Sequence, residues 1–197
     1  MANITFNPQL TSSPASTFLS NTQGYIQGAF LDDPSARMWL CAGQIASTVT
    51  QPVWGAMAVS EAVPAPGSET LGNALTLSTA LASLTAFTVF NQAPNGIITP
   101  GNTVQQYDAG MSISYFRLGS NARIAVQCDS TLAAALDSGA TNQAVDWDYT
   151  NQKLIASGGT TIPVKVLSVN TNSQIVDYNS GTGALTWVSG AVAIIQI

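Results

Sequence analysis

The amino-acid sequence predicts an all-β fold, a β-sandwich or barrel domain with an extended N-terminal arm. Two observations support this prediction. From residue 36 onward, short runs of β-branched and aromatic residues recur, and Gly, Asn or Ser residues separate them. The residues before that point are mostly turn formers. At 197 residues, the chain has the length of about one domain with an appendage. We therefore expect an arm over residues 1–35 and a β-rich domain over residues 36–197.

The predicted arm contains too few apolar residues, spaced too widely, to build a core of its own. Chain termini of this composition stay ordered where they are tied down. We therefore expect the arm to lie against another surface, such as a second subunit. There its backbone groups extend a neighbour's sheet while Phe6 or Phe18 fills a pocket. Its aromatic residues are the candidate contacts with a partner: Phe6, Phe18, Tyr25 and Phe30.

Residues 111–118 show the clearest strand pattern, because their side chains alternate between two faces with a period of two. A Gly-Ser-Asn loop at 119–121 leads to a second strand-like run at 122–128, and this spacing predicts a β-hairpin. Residues 191–197 are expected to close a sheet or to pair between subunits, because an exposed apolar edge promotes aggregation. Further short strands are predicted at 153–156, 163–169, 174–178 and 184–188.

Three other segments have weaker signals. Residues 70–90 are rich in Leu and Ala, which favours a helix, but their threonines favour strands, and both interpretations stay open. Residues 130–137 predict one or two helical turns, with Ser130 or Asp129 as the N-cap and Gly139 near the end. Residues 179–183 are Gly-rich but have no following Lys, so they predict a turn between two strands.

The composition excludes several classes of function. Charged residues make up 8% of the chain, against about 25% in an average soluble domain, and Ser, Thr, Asn and Gln together number 67. The 5 basic residues form no cluster, so we expect no nucleic-acid partner. The chain has no histidine, which removes Ser-His-Asp and Cys-His catalysis and histidine metal ligands.

Asp146 and Asp148 are the carboxylates with the best spacing for chemistry. On a strand they share one face, where they can meet a cation or serve a hydrolase. The loop after them lacks the Gly and the closing Glu of a calcium loop, so we interpret it as a solvated turn. The sequence therefore predicts no catalytic, cofactor-binding or metal-binding residue, and we expect a protein that is not an enzyme.

The cysteines and tryptophans are interpreted first as structural residues. Cys41 and Cys128 lack CxxC spacing, so we expect two reduced thiols packed as small hydrophobes, while a single disulfide between them stays open. The tryptophans are expected in the core, with burial at a subunit interface as the alternative: Trp39, Trp54, Trp147 and Trp187.

Two features bear on where the protein acts. Residues 1–10 lack the basic start and apolar core of a signal peptide, which predicts a protein made in the cytoplasm. Residues 70–107 carry no charge, but residues 71–90 contain too many Ser, Thr and Asn side chains for a lipid-facing helix. We therefore expect this segment in the protein interior and no contact with a membrane.

Several segments follow one another along the chain: FNPQ at 6–9, QGAFLDDPSARMWLCAGQI at 27–45, PVWGAMAVSEAVP at 52–64, LTAFTVFNQ at 84–92, YDAGMSISYFRLGSNARIAVQCD at 107–129 and VDWDYTNQKL at 145–154. Together they resemble the decoration, or cement, proteins of tailed-bacteriophage capsids. The resemblance spans most of the chain. All of these segments are structural sequences, and none is a catalytic signature.

The resemblance implies a virion structural protein on the outer capsid surface, assembled in the host cytoplasm. Such proteins bind the major capsid protein, bridge neighbouring capsomers and strengthen the shell against the pressure of its DNA. They act as small homo-oligomers, dimers or trimers, at local symmetry axes. The alternative is a head-fibre or tail-tip module that binds a receptor or glycan. The low charge then indicates a surface that neighbours cover, with Ser, Thr, Asn and Gln supplying hydrogen bonds.

Overall fold

The computed structural model describes residues 24–31, 34–64, 66–67, 72–90, 96, 98, 102–137 and 143–197. Strands dominate these residues and form a closed barrel, a three-stranded sheet and a two-stranded sheet, which confirms the all-β prediction. Two of the candidate contact residues, Phe6 and Phe18, lie outside the described residues. No helix within the described part of the chain has the length and apolar character needed to cross a membrane.

The barrel closes in the strand order β1-β3-β2-β4-β5. Its strands are β1 (Cys41–Ile45), β2 (Ala58–Ala62), β3 (Ala74–Leu77), β4 (Ala86–Val89) and β5 (Ser112–Arg117). The β1–β3 pair is parallel and the other pairs are antiparallel. Residues 72–90 therefore form two strands, with the short 3₁₀-helix Leu81–Ser83 between them, and not one long helix.

Strands β4 and β5 are buried on both faces. Successive residues of a strand point to opposite sides of the sheet, and in both strands neighbouring residues belong to different apolar clusters. Ala86 and Tyr115 belong to one apolar cluster, whereas Phe87 and Phe116 belong to a second cluster. The second cluster also contains residues of the other two sheets. The barrel wall therefore joins the two parts of the core. This double burial explains why residues 84–90 lack the apolar–polar alternation of a half-exposed strand.

The three-stranded sheet has the order β6-β10-β9, formed by β6 (Arg123–Gln127), β9 (Lys165–Asn179) and β10 (Ala184–Gln196). The four short strands predicted between 163 and 197 are two long ones. Residues 179–183 form the turn between them, as predicted, and the register shifts near Gly190 without ending either strand. A Cβ atom at Gly190 would lie 2.3 Å from Cδ1 of Ile175, so a side chain at this position requires Ile175 to move. Strand β10 pairs on both sides, so residues 191–197 close a sheet within the chain.

The predicted hairpin over residues 111–128 is wrong. Strand β5 pairs with β1 and β4 in the barrel, whereas β6 pairs with β10 in the other sheet. Gly119 and Asn121 have positive φ angles of 85° and 59° and turn the chain from one sheet to the other. The N–H of Asn121 then donates to the carbonyl of Ile197 at 2.7 Å, which starts the β6–β10 pairing. The sequence pattern identified both strands but carried no information about their partners.

Two helices and one further hairpin complete the described fold. The helices are α1 (Pro34–Arg37) and α2 (Ser130–Asp137), and the hairpin joins β7 (Val145–Asp148) to β8 (Lys153–Ala156). Helix α2 confirms the prediction for residues 130–137. Its N-cap is Asp129, whose Oδ2 accepts the N–H of Thr131 at 3.0 Å.

Both cysteines are free thiols. Cys128 is buried and Cys41 is half-buried, which settles the open question against a disulfide. Burial raises the pKa of the Cys128 thiol to about 12. Cys128 is therefore protonated at neutral pH and packs as a small apolar residue.

Candidate functional site

Residues 24–31, which lie within the predicted arm, bind both outer strands of the three-stranded sheet. Four of these contacts are backbone hydrogen bonds of the kind that joins strands. Their lengths are 2.8–2.9 Å: Gln174 N to Tyr25 O, Gln27 N to Gln174 O, Gly28 N to Ala125 O, and Ala125 N to Ala29 O. The segment therefore connects β9 with β6 and packs over one face of the sheet, where it covers Ala125, Val192 and Ile194.

Two glycines let this segment approach the barrel closely. Gly28 has a φ of 83°, and a Cβ atom on it would lie 2.7 Å from the Cα of Gly55. A Cβ atom on Gly55 would lie 2.7 Å from both the Cα of Gly28 and the ring of Phe90. A side chain at either position therefore pushes the segment away from the barrel.

Tyr25 and Phe30 are the two predicted contact residues that the structure describes, and both are half-buried. The Tyr25 hydroxyl lies 2.8 Å from Oγ of Ser168. The Phe30 ring packs edge-on against Phe116, with the ring centroids 5.4 Å apart. These contacts are within the chain, so both residues help to hold the segment in place. Their role as contacts with a capsid or a second subunit stays a prediction.

Met38 and Trp39 place two large apolar side chains next to each other on the surface, 85% and 63% exposed. Their turn is held by hydrogen bonds from Trp39 N to Ala36 O (2.9 Å) and from Leu40 N to Arg37 O (3.2 Å). Ala36 and Leu40 pack against the core on either side. A single exposed apolar residue is ordinary, but an adjacent pair on an anchored turn is typical of an interaction surface.

The structure confirms the core prediction for two of the four tryptophans. Trp54 and Trp147 are 5% and 2% exposed, so they are core residues as predicted. The core prediction is wrong for Trp39, and Trp187 is half-buried against Phe90 with ring centroids 6.0 Å apart. Strand-like surroundings alone do not separate a core tryptophan from an exposed one.

Glu61 forms an ion pair with Arg117. Its Oε2 accepts Nε of Arg117 at 2.7 Å and its Oε1 accepts Nη2 at 2.6 Å, a bidentate geometry. The Tyr115 hydroxyl and Nδ2 of Asn73 also donate to Oε1. The hydrogen bonds from Arg117 hold the pKa of the Glu61 carboxyl below its usual value of 4.5. Four hydrogen bonds therefore hold this carboxylate in place.

Asp146 and Asp148 also have separate structural partners. Asp148 Oδ1 accepts the backbone N–H groups of Thr150 (3.0 Å) and Asn151 (2.9 Å), which builds the β7–β8 turn and confirms the turn interpretation. Burial opposes ionisation of Asp148, but the hydrogen bonds from Asn151 and Thr150 outweigh it and lower its pKa. Asp146 accepts the hydroxyl of Thr160. Among the described residues, no three His, Cys, Asp or Glu side chains form a group that could hold a metal ion.

A polar cleft of about 470 Å³ lies beside this turn, against the half of β9 nearest the β9–β10 turn. The rings of Trp54 and Tyr178 lie in its wall, with centroids 5.5 Å apart and an interplanar angle of 45°. The residues that give the cleft its chemical character are Gln51, Trp54, Gln127, Asn151, Asp177 and Tyr178. The sequence analysis missed this site, because its residues come from four separate parts of the chain.

No protein-family model, curated protein or solved structure matches this chain. Its residues and their geometry are therefore the evidence for its function.

Proposed function

We propose that this chain is a virion structural protein that binds the outer surface of a bacteriophage capsid. It stabilises the shell by bridging neighbouring capsomers, and its partners are the major capsid protein and further copies of itself. Two observations support the proposal. The sequence resembles capsid decoration proteins over most of its length, and the surface carries the fixed, exposed pair Met38 and Trp39. The exposed pair is the structural observation that carries the proposal.

The free energy of burial favours Met38 and Trp39 as a contact with the capsid. Burying an exposed large apolar side chain contributes about 1.5–3 kcal/mol. Tryptophan is also enriched among the residues that dominate binding at protein interfaces. The turn that holds Met38 and Trp39 is already ordered by its backbone hydrogen bonds. Binding therefore costs little further backbone entropy.

The N-terminal region is proposed as the second contact. Residues 24–31 are fastened to the sheet, which fixes where the described chain begins at Gly24, and residues 1–23 precede it in the sequence. Phe6 and Phe18 lie in that preceding region. We propose that they fill pockets on the capsid, while the backbone around them adds to a capsid strand.

The experiment uses expanded shells of the major capsid protein encoded in the same genome, without the decoration protein. The full chain is added, occupancy is measured by co-sedimentation, and shell stability is measured by calorimetry. We expect saturable binding and a higher melting temperature of the shell. A chain that neither binds nor stabilises these shells would overturn the proposed function.

A matched variant locates the contact. We expect the double substitution Met38→Ala and Trp39→Ala to weaken binding about 100-fold, since it removes two apolar contacts. Val188→Ala is the control, because Val188 is also an exposed apolar residue, at 37%, but lies on the β9–β10 hairpin. Equal binding by the double variant and the control would show that another surface makes the contact.

A further inference from the structure

The cleft beside the β7–β8 turn has the size of a ligand site. Its volume of about 470 Å³ lies within the range of about 300–1,000 Å³ that small-molecule sites occupy. The proposed contacts with a capsid, Met38, Trp39 and the N-terminal region, do not line it. A ligand here is therefore a function beyond binding to the shell.

One wall of the cleft is aromatic. Trp54 is 5% exposed and packs against the half-buried ring of Tyr178. The indole N–H of Trp54 is buried and has no hydrogen-bond partner among the described residues. This N–H is closed to solvent, so the aromatic wall offers the cleft ring surface and not a hydrogen-bond donor.

The other walls offer uncommitted hydrogen-bonding groups. The side chains of Gln51 and Gln127 line the cleft, and neither forms a hydrogen bond to another described residue. Each amide both donates and accepts. Asp177 is exposed and adds two acceptor oxygens. Neighbouring hydroxyl groups, which also donate and accept, are the natural partners of such a set.

The charges of the cleft argue against an anionic ligand. Lys153 and Asp177 are the charged residues that line it. The ammonium group of Lys153 already donates to Oδ1 of Asp129 at 2.7 Å. Recognition of a phosphate or a carboxylate usually needs an uncommitted cation such as arginine. A neutral ligand is therefore favoured.

The cleft is held in shape by Gln152, which is 2% exposed. Its Oε1 accepts the backbone N–H of Ala58 at 2.8 Å and the indole N–H of Trp147 at 3.2 Å. Its Nε2 donates to the carbonyl of Tyr149 at 2.9 Å. These bonds fasten the β7–β8 turn to the barrel. A wall that is ordered before binding lowers the entropy cost of holding a ligand.

We infer that the cleft binds a neutral saccharide, with Trp54 and Tyr178 as its aromatic wall. Gln51, Gln127 and Asp177 bind the sugar hydroxyl groups. The aromatic wall packs against the C–H face of the sugar ring. Saccharides combine hydroxyl groups with such an apolar face, which matches the two kinds of wall in this cleft.

The test applies the full chain to an array of neutral oligosaccharides that end in hexose or N-acetylhexosamine, with sialylated and phosphorylated glycans as separate arms. Neutral glycans that bind are then titrated by calorimetry. We expect a subset of neutral glycans to bind. No binding at millimolar concentration, or a preference for the anionic arms, would overturn the inference.

Two variants and two matched controls test the location. We expect Gln127→Ala and Asp177→Ala each to weaken glycan binding about tenfold, the loss of one or two hydrogen bonds. Gln174→Ala and Asp137→Ala are the controls, since both residues are exposed and outside the cleft. Equal affinity of the cleft variants and the controls contradicts the inference. Melting temperatures show whether each variant is folded, and shell binding by the cleft variants is expected to be unchanged.

Discussion

Oε1 of Gln27 accepts the backbone N–H of Val176 at 2.8 Å, in a site where the Gln27 side chain is completely buried. Nε2 of the same side chain lies 3.5 Å from the carbonyl of Gly55. One amide therefore connects the N-terminal segment, strand β9 and the loop before β2. A buried amide that links three parts of a fold is expected to matter for stability.

Replacing Gln27 with Leu keeps most of the side-chain volume but leaves the N–H of Val176 buried and unpaired. We expect the free energy of unfolding to fall by about 2 kcal/mol, the cost of such an orphaned donor. Urea denaturation measures this change. Gln174→Leu is the control, because Gln174 is exposed and its backbone bonds remain. Equal stability of the two variants would contradict the role given to Gln27.

Two N-terminal deletions separate binding from folding. Deletion of residues 1–20 keeps residues 24–31, whereas deletion of residues 1–31 removes their hydrogen bonds to β6 and β9. We expect the longer deletion to lower the free energy of unfolding by about 3 kcal/mol more than the shorter one, from lost hydrogen bonds and apolar cover.

The shorter deletion is expected to weaken shell binding, because it removes Phe6 and Phe18. Calorimetry of the free protein and co-sedimentation with shells measure the two effects. Unchanged shell occupancy after the shorter deletion would contradict the proposal that the arm contacts the shell. Equal stability of the two deletions would show that residues 24–31 do not support the sheet.

The Glu61–Arg117 ion pair predicts a loss of stability in acid. The folded protein holds the pKa of Glu61 below its unfolded value of 4.5. The pair therefore stabilises the fold fully above pH 4.5, and this contribution is lost as pH falls through the lowered pKa. We expect Glu61→Gln to flatten the decrease of the unfolding free energy over this acidic range. Urea titrations at successive pH values measure the slope, and Asp137→Asn serves as the control. A variant with the same slope as the unaltered chain would contradict the prediction.

Shell binding is expected to depend little on salt. The chain carries 5 basic and 10 acidic residues, and the proposed contacts at Met38 and Trp39 are apolar. Apolar contacts are not screened by ions, whereas exposed ion pairs lose most of their attraction at about 1 M salt. We expect the dissociation constant to change less than about threefold between about 0.1 and 1 M NaCl. A much larger weakening would identify an electrostatic interface instead.

Local signals account for the elements that the sequence predicted correctly. Alternation over residues 111–118 identified β5, and a capping residue before residues 130–137 identified α2. The pairing partner of each strand was not determined by neighbouring residues. The loop at 119–121 has the composition of a hairpin turn, yet β6 pairs with β10, about 70 residues further along the chain. The backbone of a strand pairs with any neighbour, so packing of the whole core selects which one.

The candidate sites also depend partly on the sequence and partly on the tertiary structure. Low charge and the absence of histidine come from the sequence alone, and they direct attention to an interaction protein. The exposure of Trp39 and the cleft beside Tyr178 required the structure. Exposure depends on which side chains approach from distant segments. Trp54, in similar surroundings in the sequence, is buried for that reason.

The sequence by itself determined that this protein is built mainly from β-strands and carries few charges, because strand period, turn residues and composition are properties of neighbouring residues. Tertiary structure decided that residues 24–31 join β6 to β9 and that Gln51, Gln127 and Asp177 share one cleft. These arrangements depend on contacts between segments far apart in the chain. Such contacts form only when the free energy gained by apolar burial outweighs the entropy cost of closing long loops. This balance depends on all segments of the fold together.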